Sequence, residues 1–311
     1  MKYIGRWRER IDNEIMGHLS GDVPAVWERG KEYFLRGGKR IRPVLVMLGA
    51  KEAGGSEEKV IRLAAAVEIL HTFTLIHDDI EDNSDIRRGN ECLHVEHGIP
   101  LAINAGDLLF AKSFELASSY GPLIAERFAK TVCSIAEGQD QDISWSQGDY
   151  MPDEDEYLSM VRRKAGVLIG FSLEAGHMSI IGKENIPIRD YGVAVGAAFQ
   201  IIDDILGVAG NLQKTGKDVD KDILERKKSL PIIKAIELHP KGRELEQTFL
   251  KENKTDSDVK FIRKSIQESG AIEYCKKLVG DIISNAGAPF KNKEVGEVLK
   301  SFSQFVIERE F

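Results

Sequence analysis

The chain has 311 residues, 42% of them apolar and 30% charged, so it carries enough apolar surface for a large core and too much for an intrinsically disordered chain. Forty-three Lys and Arg against fifty Asp and Glu leave a formal charge of -7, which argues against broad contact with nucleic acid or an anionic membrane. Three cysteines, Cys92, Cys133 and Cys275, are odd in number and in no metal-ligand spacing, which argues against a disulfide framework or a zinc site and fits a reducing cytoplasm.

The N-terminal stretch MKYIGRWRERIDNE is studded with charge and lacks an apolar h-region, so export is not expected. No stretch approaches the roughly 18 uninterrupted apolar residues of a membrane span. Helical periodicity runs nearly everywhere and period-2 alternation is almost absent, which predicts an all-α fold. Helices are expected near 3–19, 24–36, 41–53, 58–83, 100–119, 122–147, 154–182, 187–211, 228–238, 241–252, 256–269, 270–286 and 292–308. Pro43, Pro100, Pro122, Pro187 and Pro231 fall where a first turn tolerates proline. No Pro/Ser/Gly linker divides the chain, so residues 1–311 are expected to form a single helical bundle. Segments 61–76 and 191–209 are apolar on most faces and belong at its centre, while the Lys/Glu-rich stretch from 241 onward reads as outer helices.

The chemistry follows in chain order. In FLRGGKRIRPVLV, Lys39, Arg40 and Arg42 surround a Gly-Gly turn that opens a helix, bringing cations and backbone N–H groups together as an anion cradle. In HTFTLIHDDIEDN, Asp78 and Asp82 are four apart, on one helix face within roughly 6 Å. Two carboxylates at that distance repel by about 3 kcal/mol at an effective dielectric near ~20, and burial worsens it, so something positive must offset them. Arg87 and Arg88 follow in DIRRGN, where guanidinium forks match phosphate oxygens. A second acidic pair, Asp203 and Asp204, lies inside the apolar run AFQIIDDILGV, and Lys217, Arg226, Lys227 and Lys228 follow it. Two acidic pairs in apolar helices call for hard cations with oxygen ligands, and Mg²⁺ completing its shell with substrate phosphate is the expected occupant. One diphosphate site is then expected to work through metal and a second through Lys and Arg alone.

The motifs GGKRIRP, LIHDDIEDNSDIRRG, EGQDQD, FQIIDDIL and TGKDVDKDILERKKSLP, in this order over residues 37–231, resemble those of the trans-type (head-to-tail) isoprenyl diphosphate synthases. The resemblance implies an all-helical fold with a central cavity, two Asp-rich motifs facing each other across it, Mg²⁺ as cofactor and a homodimer. It assigns magnesium to Asp78, Asp82 and Asp203, with Asp79 and Asp204 as acidic neighbours; with Lys164 these form the expected catalytic set. Arg87, Lys164, Gln200, Lys217 and Lys227 match the positions that hold the allylic diphosphate, and Lys39, Arg42, His71 and Arg88 those that hold isopentenyl diphosphate. In this reaction an allylic C–O bond breaks, cations stabilise the departing diphosphate, and the double bond of isopentenyl diphosphate attacks the carbocation. The released diphosphate is the expected base.

Phe73, five residues before Asp78, with the small Thr74 beside it, resembles the chain-length position of archaeal-type geranylgeranyl diphosphate synthases, so a C20 product is expected. A farnesyl or longer-chain synthase and a non-catalytic prenyl-diphosphate-binding subunit are the alternatives. The chain departs from the family at Glu91-Cys92, where Pro-Thr is common, at Ala165, where Thr follows Lys, at Gly207, where a third Asp is usual, and at Asn211. Asp220 and Lys221 are expected to stiffen the loop after the second motif, and Gly166 to supply the kink that Ala165 does not.

Overall fold

The computed structural model describes residues 2–209 and 220–307. Among them the structure is all-α apart from one two-stranded hairpin. In order, α1 is Lys2–His18, α2 Pro24–Leu35, α3 Ile41–Glu52, α4 Ile61–Glu81, α5 Leu93–His97, α6 Ile99–Ser118, α7 Pro122–Gln147, α8 Glu154–Val161, α9 Val167–Ile181 and α10 Ile186–Ala209. Then follow α11 Lys221–Leu224, α12 Leu230–Leu238, α13 Gly242–Phe249, α14 Asp256–Glu268, α15 Ala271–Asn285 and α16 Lys293–Ile307. Chain contacts group into two compact units, residues 1–132, 171–189 and 290–295, and residues 133–170, 190–289 and 296–311.

In the first unit α4 packs against α1, α3 and α6, with the run Leu63, Ala64, Ala65, Ala66 and Val67 fully inside, as its apolar sequence requires. The helix expected over 58–83 is shortened: a 3₁₀ turn at Glu57–Lys59 precedes it, and Asp82 ends it. Beyond lies a hairpin that periodicity does not signal, β1 Ile86–Arg87 paired with β2 Asn90–Glu91. Its two central residues, Arg88 and Gly89, both have positive φ, the twist that two-residue hairpins favour.

The second unit has its own core, in which Val208, Ile223, Ile232, Leu245, Phe249, Ile262 and Ile266 pack together. Capping boxes start two of its helices, Asp153 with Glu156 at α8 and Thr255 with Asp258 at α14. The helix expected as one piece over 154–182 is interrupted by a π-helical turn, Arg162–Gly166, between α8 and α9. The turn ends at Gly166, and π turns of this kind are frequent at functional sites. Helix α10 contains a stretch, Ile186–Val208, long and apolar enough to cross a membrane by composition, and it is mostly buried, as in a core helix.

Candidate active site

In the first unit the Gly-Gly turn is built by backbone that glycine permits. Gly37 and Gly38 have φ of 84° and 150°, and Arg40 at the α3 N-cap takes a left-handed φ of 51°. Arg40 holds the turn down: Nε donates to Asp12 at 2.6 Å, Nη1 to Glu68 at 3.1 Å and to the Gly37 carbonyl, and Nη2 to the Phe34 carbonyl. Its side chain is 3% exposed, so of the three cations on this turn Arg40 is a structural brace. Lys39 is exposed and Arg42 half-buried.

Arg88 reaches the same turn, its Nη1 donating to the Gly37 carbonyl, from a left-handed φ of 54°. A non-glycine residue held there costs roughly 1–2 kcal/mol, strain that the contact with the turn offsets. His71, about two turns before Asp78 on α4, feels these charges: burial first, then Arg42, Arg88, Arg87 and Arg40, hold its pKa well below the usual histidine range. Of these four guanidinium groups Arg40 and Arg87 are paired with carboxylates, and Arg42 and Arg88 bring further positive charge to His71. The structure therefore gathers Arg42, His71 and Arg88, and carries Lys39 on the same turn.

At the end of α4 the acidic residues divide. Asp78 is half-buried and Asp82 exposed, while Asp79 is fully buried. Its carboxylate accepts from the Tyr33 hydroxyl on one oxygen and from Arg87 Nε, at 2.5 Å, on the other. Cys92 is buried beside them; burial, then the Asp79 charge, pushes its thiol up to about 11. Thus one of the two departures, Cys92, lies against the acidic motif, whereas Glu91 is exposed on β2. The Phe73 ring centroid lies 4.6 Å from that of His77 and 5.3 Å from that of Phe110, both rings tilted against it, and the Thr74 hydroxyl donates to the His71 carbonyl. Glu32, Glu96 and His97 also lie close enough to share a cation, but Arg36 already sits 3.3 and 3.6 Å from the two carboxylates.

The second unit repeats the division. On α10 Asp203 is half-buried, and Asp204 is buried. The Asp204 carboxylate accepts from the buried Tyr157 hydroxyl at 2.6 Å, from Gln200 Nε2 at 2.9 Å and from Lys227 Nζ at 3.3 Å. Lys164, in the π turn, donates to Asp142 of the EGQDQD motif. Burial raises the Asp142 pKa, but the charges of Lys164 and Lys227 outweigh it and hold the carboxyl below its usual range. The helix α7 approaches this turn so closely that a Cβ on Gly138 would stand 2.5 Å from the Lys164 backbone nitrogen.

Of the basic run after the second motif, among the described residues Lys227 pairs with Asp204, while Arg226 and Lys228 do other work. Arg226 bonds Asp149 and the carbonyls of Gln147 and Leu250, and Lys228, fully buried, donates to the Gly148 carbonyl. Asp220 accepts from Arg263, and Lys221 pairs with Glu225 at 3.5 Å, so both loop departures are tied to helices. Gly207 leaves room for Asp222, whose Oδ2 would stand 2.1 Å from a Cβ there. Lys217 and Asn211 lie outside the described residues. The sequence reading gives no role to Tyr33, Tyr157 or Asp142, and only the place of Asp142 in EGQDQD offers a signal.

Asp78 and Asp82, and separately Asp203, are oxygen donors at the ends or faces of rigid helices, with no sulfur or nitrogen among them. That set fits a hard divalent cation that takes one or two carboxylates and keeps water or phosphate for the rest. A helical protein with such carboxylates and a cation cluster is equipped to handle diphosphates. Comparison with known proteins agrees. Residues 25–266 match the polyprenyl synthetase family model. The geranylgeranyl diphosphate synthase of Sulfolobus acidocaldarius is 35% identical, covering 99% of both chains, and the geranylgeranyl pyrophosphate synthase of Geoglobus acetivorans 38%, covering 97% of both. The crystal structure of a polyprenyl synthase from Caulobacter crescentus, complexed with calcium and isoprenyl diphosphate, is 30% identical, with a TM-score of 0.90 over 100% of this chain and 98% of that one. The chain belongs to the polyprenyl synthetase family, the trans-prenyltransferases.

Proposed function

We propose that this prenyltransferase condenses isopentenyl diphosphate with an allylic diphosphate to make geranylgeranyl diphosphate, C20, with Mg²⁺ as its metal. The observation that carries the reading is the separation of charge within the first unit: oxygen donors Asp78 and Asp82 at the end of α4, and Arg42 and Arg88 beside His71. The first suits a metal-bound diphosphate and the second a diphosphate held by cations alone.

In this reading Asp78, Asp82 and Asp203 hold Mg²⁺, which neutralises charge on the leaving diphosphate. Arg87, Lys164, Gln200, Lys217 and Lys227 bind the allylic diphosphate, and Lys39, Arg42, His71 and Arg88 bind isopentenyl diphosphate. Lys164 and Lys227 are pre-oriented by Asp142 and Asp204, so they meet the developing charge without reorganising. The departing diphosphate takes the proton lost from the new allyl unit, so no side chain acts as base. Phe73, braced by Phe110 and His77, ends the channel for the growing tail at C20.

The family match crosses both compact units, which supports their working as one synthase domain. A homodimer is part of the proposal: Ile99, Ile103 and Phe114, spaced along one face of α6, are 51%, 38% and 38% exposed, an apolar stripe that a second copy would cover. The three cysteines are unpaired, in keeping with a reducing cytoplasm. The test is incubation with Mg²⁺, labelled isopentenyl diphosphate and each allylic diphosphate, followed by chromatography of the extracted products. Incorporation that stops at C20 is expected. A discrete product of another length would refute the C20 assignment, and binding without incorporation would refute the enzyme.

A further inference from the structure

The two acidic motifs are built alike around their second aspartate. Asp79 and Asp204 are 0% and 2% exposed, and in each a tyrosine hydroxyl occupies Oδ2 while a cation binds Oδ1, which in Asp204 also accepts from Gln200. The tyrosines come from separate helices, Tyr33 on α2 and Tyr157 on α8, 46 and 47 residues before the aspartate they bind. A buried thiol completes each arrangement: Cys92 near Asp79, and Cys275, pushed up to about 12 by burial and then by the Asp204 charge. Nothing in the reaction requires these hydroxyls to touch substrate.

We propose that Tyr33 and Tyr157 are positioning residues: each fixes the second aspartate of its motif and through it orients a diphosphate-binding cation, Arg87 in one unit and Lys227 in the other. The proposal rests on the reading of those two cations as allylic diphosphate ligands. Its physical content is a division of one carboxylate's capacity. With the tyrosine on Oδ2, the aspartate offers the cation a single oxygen, Oδ1, and the hydrogen bond from Arg87 engages Nε, leaving its two Nη groups to other partners. Burial and the neighbouring aspartate hold both tyrosines far above the usual phenol range, so each stays a neutral donor and adds no charge. Without the hydroxyl, a buried oxygen loses its donor, and the carboxylate satisfies itself by turning both oxygens to the cation. Arg87 or Lys227 is then neutralised and drawn off the diphosphate.

Tyr33→Phe and Tyr157→Phe remove the hydroxyls and keep the rings, so packing is preserved. Initial rates are measured with each substrate varied in turn, together with calorimetric titration of inorganic diphosphate in Mg²⁺ and far-UV circular dichroism. Each variant is expected to raise KM for the allylic diphosphate about ten-fold, the scale of one hydrogen bond to a charged group, with KM for isopentenyl diphosphate within about two-fold of wild type. In an Arg87→Ala background, Tyr33→Phe is expected to add nothing, since it acts through Arg87. An unchanged allylic KM, or the same rise in the Arg87→Ala background, overturns the proposal. A wild type that binds magnesium diphosphate but transfers no prenyl group sinks the proposed function alone; the titration then decides, with weaker binding in the variants supporting the tyrosine role and equal affinity overturning it. A wild type that binds no diphosphate overturns both.

Discussion

Arg40→Ala separates the cation that builds the Gly-Gly turn from those that serve a ligand. The Arg40 and Glu68 side chains are 3% and 5% exposed, and the guanidinium bonds Glu68, Asp12 and two main-chain carbonyls. Removing it leaves the Glu68 carboxylate buried without its cation, a loss that costs about 3–5 kcal/mol where one partner of a buried pair is deleted. Against a typical stability of about 5–15 kcal/mol this is a large fraction, readable in urea unfolding followed by circular dichroism. Arg42→Ala and Lys39→Ala, by contrast, are expected to stay within about 0.5 kcal/mol of wild type while raising KM for isopentenyl diphosphate. Arg40→Met with Glu68→Met is expected to recover at least half of the loss, because no buried charge is left uncompensated and Asp12, 33% exposed, is reached by water. A loss under about 1 kcal/mol for Arg40→Ala refutes the reasoning.

Three further outcomes follow from the site. His71 has a folded pKa below its unfolded value of about 6.5, so its neutral form is accommodated fully above that pH, and stability falls as pH drops below it. The wild type should therefore lose up to about 1.4 kcal/mol per pH unit more than His71→Gln between roughly pH 6.5 and 5, and parallel urea series at several pH values would expose equal slopes if this is wrong. Phe73→Ala is expected to lengthen the product beyond C20, and a product held at C20 would remove Phe73 from the floor. Gly138→Ala places a Cβ against the Lys164 backbone, and it is expected to cost about 1–3 kcal/mol and to lower kcat/KM for the allylic substrate; wild-type kinetics would show that the π turn tolerates displacement.

The helices were legible because their signal is local: α4 and α10 are apolar on most faces along much of their length, and proline and glycine mark the breaks. The acidic and basic motifs were legible for the same reason. Their internal division was not. Asp78 and Asp79 are neighbours of identical chemistry, and what separates them is a tyrosine 46 residues upstream that no periodicity connects to the motif. Arg40 likewise stands between Lys39 and Arg42 with nothing in composition to mark it as the braced one; Asp12 and Glu68, from two other helices, decide it. The π turn at Arg162–Gly166 keeps helical periodicity on both sides, so the pattern reads through it, and the hairpin at Ile86–Glu91 is too short to alternate visibly. Arg226 and Lys228 read as one cluster with Lys227, yet each of the three bonds different partners.

The most direct measurement is a magnesium titration of labelled isopentenyl diphosphate incorporation in the wild type and in Asp78→Ala. Chelation should abolish wild-type turnover and added Mg²⁺ restore it, while Asp78→Ala should fall by about a hundred-fold or more with its helical circular dichroism intact. Turnover that ignores the chelator, or an Asp78→Ala variant as active as the wild type, would contradict the assignment of a metal-held diphosphate to the end of α4.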